Sequence, residues 1–224
     1  MSFLGVLHRI SPAVAKAARA VHTLLVKRGL WHSQQRGEPA GREGEPLPWI
    51  TFPAMDYLAQ LDFSQAGILE YGAGGSSLWW AARARHVISV ESDPCWAERV
   101  RSRAPENLRV IGPLSGTDYV SALLEPGEKF EVIVVDGKQR EACALAALDH
   151  LAEGGLLVLD NADWYPQICA SLRQRGMLEV DFHGFGPVND YTWTTSIFVR
   201  ASCAVPHRGQ TWVPSTHGNF VHAS

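Results

Sequence analysis

Four acidic side chains stand at or beside the ends of short apolar runs in this 224-residue chain: Glu70, Glu91, Asp136 and Asp160, the last followed directly by Asn161. Glu70 lies in Gly67-Ile-Leu-Glu-Tyr-Gly-Ala-Gly-Gly-Ser-Ser77, two residues before Gly72 and four before Gly74. A nucleotide diphosphate rests on such a glycine turn and on the helix start beyond it, where a neighbouring carboxylate would repel it. Glu70 therefore predicts a ligand that carries positive charge and no phosphate, while Gly72 and Gly74 let backbone approach it closely. Ser76 and Ser77 add hydroxyls and a helix cap at the start of the next element. Glu91 falls 19 residues after Gly72, the spacing at which an acid accepts hydrogen bonds from ribose hydroxyls. Together the two acids predict a cationic nucleoside. Glu91 alone would serve a dinucleotide equally well, and a tight strand-to-helix turn without ligand is the bland alternative.

Such residues need a scaffold that brings strand ends together. Strand-like runs at 68–71, 87–91, 108–111, 132–135 and 156–159 alternate with helix-like stretches at 53–60, 77–84, 94–104, 141–151 and 164–175. That alternation implies a parallel sheet with helices on both faces. Two further runs, 178–183 and 194–199, are separated by only about ten turn-like residues, too few for a crossover helix, so they should pair antiparallel. The expected fold is α/β: a doubly wound, Rossmann-like sheet of seven strands, mostly parallel with an antiparallel last strand. In open α/β sheets ligands bind outside the carboxyl ends of the strands, so Glu70, Glu91, Asp136 and the Asp160-Asn161 pair converge by topology.

Residues 12–29 carry apolar side chains at helical spacing opposite Lys16, Arg19, Lys27 and Arg28, after a Ser11-Pro12 start signal. This predicts an extra amphipathic helix packed on the domain or on a second subunit, with a membrane surface as the other reading. Residues 33–48 are polar with interspersed Gly and Pro and read as a mobile connector. The expected organisation is thus helix and linker at 1–48, the ligand-binding domain at 49–200, and an irregular tail at 201–224.

The Glu70-x-Gly72-x-Gly74 pattern resembles the acid-x-Gly-x-Gly motif of class I S-adenosylmethionine-dependent methyltransferases, and the resemblance spans roughly residues 50–200. It implies S-adenosylmethionine (SAM) as cofactor, held by Glu70, Gly72, Gly74, Ser76 and Glu91, with Asp118 as a candidate for the adenine. Segments 130–138 and 154–161 look like the strand-end acid and the Asp-Asn pair of catechol-type and caffeoyl-coenzyme-A-type O-methyltransferases. That likeness implies a divalent cation such as Mg²⁺ on Asp136, Asp160 and Asn161, where it would lower the pKa of an acceptor hydroxyl. The chain departs from the pattern after Asp136, with Gly-Lys-Gln-Arg where the family has Asp-Ala-Asp-Lys. In the alternative reading Asp160 and Asn161 cap the following helix and Asp136 caps its own turn. A metal-free version leaves Asp136, Lys138 or His183 as general base or substrate contact. Glu70-Tyr-Gly-Ala-Gly-Gly-Ser, Val135-Asp-Gly and Thr195-Ser-Ile-Phe198 are also similar to bacterial methyltransferase-like proteins of unassigned substrate.

The implied activity is methyl transfer from SAM to a small-molecule acceptor, on oxygen, with or without a metal. Tyr191 and Trp193 are candidate walls of the acceptor pocket, and Trp79, Trp80 and Trp96 are expected to pack between helices and sheet. Nucleic acid is disfavoured as a partner: the net charge is −3, no basic run is present, and Asp136-Gly-Lys-Gln does not match the Asn/Asp-Pro-Pro-Tyr motif of base methyltransferases. Two other functions stay open, an NAD-dependent oxidoreductase and a non-catalytic SAM-binding module. Glu70, and Ser77 at the third glycine position, count against the former. Cys95, Cys143, Cys169 and Cys203 lack C-x-x-C spacing and read as packing thiols of a reducing compartment. With no uninterrupted apolar run of about 18 residues, the expectation is a cytoplasmic protein, with homo-oligomerisation through the N-terminal helix as an option.

Overall fold

The computed structural model describes residues 11–122 and 127–200, so the expected irregular tail lies outside the described residues. The strands are β1 (Gly67–Tyr71), β2 (His86–Val90), β3 (Leu108–Ile111), β4 (Phe130–Val135), β5 (Leu151–Asp160), β6 (Met177–Gly184) and β7 (Trp193–Arg200). They form one sheet in the order β3-β2-β1-β4-β5-β7-β6. β1 to β5 pair with one another in parallel, and β7 runs antiparallel between β5 and β6. The link between the last two strands, residues 185–192, is too short for a crossover helix and forces that reversal, as the sequence spacing implied.

Both faces of the sheet are covered, which explains why the central strands are almost wholly apolar. Alternate residues of β4 serve opposite faces: Val132 and Val134 join Ile68, Val158, Leu58, Trp79 and Trp80 on one side, while Ile133 and Val135 join Leu69, Leu157, Cys143, Ile168 and Leu172 on the other. Trp79 and Trp80 are core residues as expected. Every position of β1 is buried, Glu70 included.

The helices are α1 (Pro12–His22), α2 (Leu30–Arg36), α3 (Phe52–Leu58), α4 (Gly75–Ala81), α5 (Pro94–Arg101), α6 (Gly116–Val120), α7 (Arg140–Ala147) and α8 (Pro166–Gln174). α6 is an element the hydrophobic pattern does not announce. β5 begins at Leu151, five residues earlier than expected, because Gly154, at φ +79°, interrupts the strand pattern without ending the strand. The Ser11 hydroxyl accepts the Val14 N–H at 3.4 Å and caps α1, which runs on through a π-helical turn at Thr23–Lys27. Arg28 then grips Asp56 with two hydrogen bonds of 2.5 Å. No helix among the described residues is long and apolar enough to cross a membrane.

The segment read as a mobile connector is instead folded onto the domain. Gly29, Gly37 and Gly44 take left-handed φ values of 75°, 66° and 85°, which turn the chain back on itself. The buried Ser33 hydroxyl donates to the Ala40 carbonyl and accepts the Ala40 N–H, both at 2.9 Å, and Ala40 bridges Pro46. Glu38 pairs with Arg99 of α5. Polar composition suggested mobility; the side-chain-to-backbone bonds that order such a segment are invisible in composition.

Candidate active site

β1 delivers the chain into Gly72 at φ +102°. A Cβ on Gly72 would stand 2.8 Å from the Gly137 nitrogen, and one on Gly137 would stand 2.9 Å from the Gly72 nitrogen. The turns after β1 and β4 therefore touch backbone to backbone, which two side chains would prevent. Gly74 differs: its φ is −175°, and a Cβ there would come no closer than 3.7 Å to Ser76 Oγ or Trp96 Nε1. The fold itself does not demand glycine at that position.

These turns line a cavity of about 420 Å³ together with Ser76, Glu91, Asp93, Trp96 and Lys138. A second cavity, about 300 Å³, is lined by Arg140, Asp160, Asn161, Trp164, Asn189, Tyr191 and Trp193. Trp49 and Asp136 border both, so the two spaces adjoin at the carboxyl ends of β1 and β4.

Glu91, just past β2, is fixed in the wall of the first cavity. Its Oε2 accepts the Ala73 N–H at 3.0 Å, and its Oε1 accepts the N–H groups of Ser92 and Asp93 at 2.6 and 2.8 Å. Three backbone donors hold the carboxylate, and Oε2 keeps acceptor capacity toward the cavity.

Glu70 occupies a different place from the one its motif suggested: it is fully buried beneath the turn and does not line the cavity. Its Oε2 accepts the Ser89 hydroxyl at 2.7 Å and the Ser77 hydroxyl, while Ser77 Oγ in turn accepts the Gly74 N–H at 3.0 Å. Oε1 makes no hydrogen bond among the described residues. Burial pushes the Glu70 carboxyl up, opposed by the neighbouring serine hydroxyls and reinforced by the charge of Glu91. Glu70 thus braces the glycine turn through Ser77 and ties it to β2 through Ser89.

The ends of β4 and β5 are joined by Arg140, the fifth residue of the Asp136-Gly-Lys-Gln-Arg run. Its Nε donates to the Gly137 carbonyl at 3.0 Å. One terminal nitrogen donates to Asn161 Oδ1 at 2.9 Å and to the Asp160 carbonyl; the other donates to the Asp136 carbonyl and to Asp136 Oδ1, both at 2.9 Å. All five guanidinium donors are engaged. Asp160 Oδ1 accepts Trp193 Nε1 at 2.9 Å and the Thr195 hydroxyl at 2.5 Å. Burial pushes Asp160 up to about 6 against these bonds, and burial together with the Asp160 charge pushes Asp136 up despite the Arg140 guanidinium.

This arrangement does not fit the divalent cation that the Asp-Asn pattern implied. The cation between Asp136 and Asn161 is already a side chain, Asp160 Oδ1 faces two protein donors, and no group of three or more His, Cys, Asp or Glu among the described residues is placed to hold a metal. Nor does Asn161 cap a helix with its side chain; it takes φ +54°, a left-handed conformation that asparagine tolerates, and gives its oxygen to Arg140.

Two other sequence candidates lie apart from these cavities. Asp118 is exposed on α6 and lines neither. His183 shares a hydrogen bond of 2.6 Å with Thr194 Oγ1 and borders a separate space of about 210 Å³ with Asp163, Glu179 and Asp181. Conversely, Trp96 and Trp49 are wall residues rather than packing alone: Trp96 Nε1 donates to the Ala73 carbonyl, and Trp49 Nε1 donates to Asn189 Oδ1 at 2.7 Å. Tyr191 and Trp193 do line the second cavity.

No protein-family model and no curated protein matches the chain. Solved structures share its fold. The O-methyltransferase TomG from Streptomyces achromogenes, solved with SAM, is 18% identical and aligns over 83% of this chain and 96% of its own, with a TM-score of 0.58. The Streptococcus mutans protein SMU.1697c, solved with S-adenosylhomocysteine (SAH), aligns over 66% of this chain and 98% of its own at 15% identity and a TM-score of 0.50. An rRNA methylase from Streptococcus thermophilus gives 66%, 94%, 15% and 0.50 in the same order. The chain has the class I methyltransferase fold.

Proposed function

We propose that this chain is a SAM-dependent methyltransferase that acts on an oxygen of a small-molecule acceptor without a metal ion. The observation that carries this reading is the shared wall: Trp49 and Asp136 border both cavities, so groups held on either side meet at one carboxylate. When bound, SAM supplies an electrophilic methyl group on a sulfonium. Glu91 would accept the ribose hydroxyls with its remaining acceptor capacity, and Gly74 leaves the turn bare where a nucleoside would lie against it. Glu70 contributes through the turn it braces.

Asp136 is the proposed base. Its raised proton affinity suits it to take the acceptor's hydroxyl proton as that oxygen bonds the methyl carbon and the carbon–sulfur electron pair leaves with sulfur. Alignment across the shared wall would supply most of the rate.

The second cavity supports an uncharged, hydroxyl-bearing acceptor with an apolar face. Trp164 and Tyr191 are 54% and 46% exposed at its rim. Asn161 and Asn189 each accept a bond on the side-chain oxygen, and their amide N–H groups make no hydrogen bond among the described residues. Among the described residues lining this cavity the cation is Arg140, whose donors are all engaged, so an anionic acceptor would find no cation there with a free donor. Nucleic acid is disfavoured on the same ground.

Calorimetric titration with SAH and with NADH tests the cofactor. Binding of SAH alone supports the reading, and binding of NADH alone overturns it in favour of an oxidoreductase. SAH production from SAM across a panel of hydroxylated metabolites tests turnover; binding of SAH with no production in any pool would favour the non-catalytic module.

A further inference from the structure

We propose that Arg140 is the resident cation of this site: it occupies the place between the ends of β4 and β5 that a divalent ion would need, and its presence is what keeps such an ion out. The argument is geometric and independent of the reaction. Three residues with oxygen-bearing side chains, Asp136, Asp160 and Asn161, line one cavity at the ends of two adjacent parallel strands. Hard divalent ions take carboxylate, amide and carbonyl oxygens of this kind. The guanidinium meets oxygens of all three residues, two by side chain and two by backbone carbonyl, and reaches Gly137 besides. Its side chain is only 12% exposed, and its carbon stands 5.2 Å from the centre of the Tyr165 ring, which closes the other side. A planar fork with fixed donors suits a set of oxygens spread over two strand ends, where an ammonium would reach fewer of them.

The chain spacing supports the same assignment. Arg140 follows Asp136 by four residues and opens α7, and the non-helical turn between them returns its side chain over the strand end the chain has just left. Gln139 takes φ +51° immediately before it, a strained conformation at the helix start that aims the chain into this position. With the guanidinium in place, a divalent ion would have to displace five hydrogen bonds and tolerate an adjacent positive charge. Without it, Asp136 and Asn161 oxygens would be left without a cationic partner.

The test is Mn²⁺ binding to the full-length protein, followed by the electron paramagnetic resonance signal of the free ion, with SAH titration as an independent check that the fold is intact. Wild-type protein is expected to leave Mn²⁺ free. Arg140→Ala is expected to take up about one equivalent with a dissociation constant on the order of 0.1–1 mM, typical of a weak oxygen site. Adding Asp136→Asn to Arg140→Ala should abolish that uptake, and Arg140→Lys, which restores the charge but not the fork, should leave Mn²⁺ free again. A structural strut alone would not gain an ion when removed. Asp136-dependent Mn²⁺ uptake by the wild-type protein would overturn the proposal. So would an Arg140→Ala protein that still binds SAH yet takes up no Mn²⁺. Should Arg140→Ala fail to fold, Arg140→Met, which preserves more of the packed volume, and the wild-type arm decide the question.

Discussion

Trp49 and Asn189, 140 positions apart, are joined by a 2.7 Å hydrogen bond from the indole N–H to the amide oxygen. That bond ties the segment leading into α3 to the turn between β6 and β7, and it does so at the wall common to both cavities. Removing the donor while keeping an aromatic wall separates the two roles of Trp49. Trp49→Phe should leave SAH affinity within twofold of wild type but weaken acceptor binding by about 1 kcal/mol, the net worth of one hydrogen bond that positions Asn189. Trp49→Ala, which removes the wall as well, should weaken both. Calorimetry with SAH and KM for the acceptor are the two readings, and equal loss in both variants would show that the wall does not separate the ligands.

Glycine at two places in the same turn makes opposite predictions. Gly72→Ala places a Cβ 2.8 Å from the Gly137 nitrogen on a backbone at φ +102°, and nothing nearby is a flexible side chain that could yield. It should destabilise the protein by about 1–3 kcal/mol, seen in denaturant unfolding. Gly74→Ala meets no atom within 3.7 Å and needs no unusual φ, so stability should hold while SAH affinity falls as the methyl group enters the cavity. A destabilised Gly74→Ala with unchanged affinity would remove the turn from the cofactor site.

The seven mostly parallel strands, the antiparallel β7 and the gathering of Glu91, Asp136 and Asp160 at strand ends were legible because they follow from chain spacing and from the rule that ligands sit at strand ends. Glu70 was harder. A motif names the acid but not the direction of its side chain, and in a strand buried at every position Glu70 turns inward to Ser77 and Ser89. Arg140 was visible only as the residue that broke the expected Asp-Ala-Asp-Lys run; that it replaces a metal depends on the packing of two strand ends, which no local pattern encodes. Pro39 lines the site from a stretch whose composition resembles a linker, because order there comes from glycine turns and the Ser33 hydroxyl.

Glu91 is the side chain on which cofactor affinity should depend most directly. Glu91→Ala removes a carboxylate held by three backbone N–H groups at the cavity wall, and the loss of charge-assisted bonds to ribose hydroxyls should cost about 1–3 kcal/mol of SAH binding. Because the same carboxylate caps the Ala73 and Asp93 amides, thermal unfolding of the variant must be recorded alongside, and the comparison made well below its Tm. Unchanged SAH affinity in a folded variant would remove Glu91 from the ribose.

Asp160 gives the protein a pH dependence with a definite sign. Its carboxyl is pushed up to about 6 by burial against an ordinary value of 3.8, so the folded state holds a proton that the unfolded state releases earlier. Between those two values the folded chain binds more protons than the unfolded chain, and stability from this group falls as pH rises. The contribution is therefore full below about pH 4 and lost above about pH 6, at most about 3 kcal/mol for a shift of this size. Asp160→Asn isolates the contribution of this carboxyl, since its amide oxygen can still accept Trp193 Nε1 and the Thr195 hydroxyl without ionising. Urea unfolding of both proteins from pH 4 to 8 should show the stability difference between variant and wild type growing in the variant's favour across pH 4 to 6 and then levelling. A constant difference over that range would mean that Asp160 ionises at its ordinary value in the folded protein.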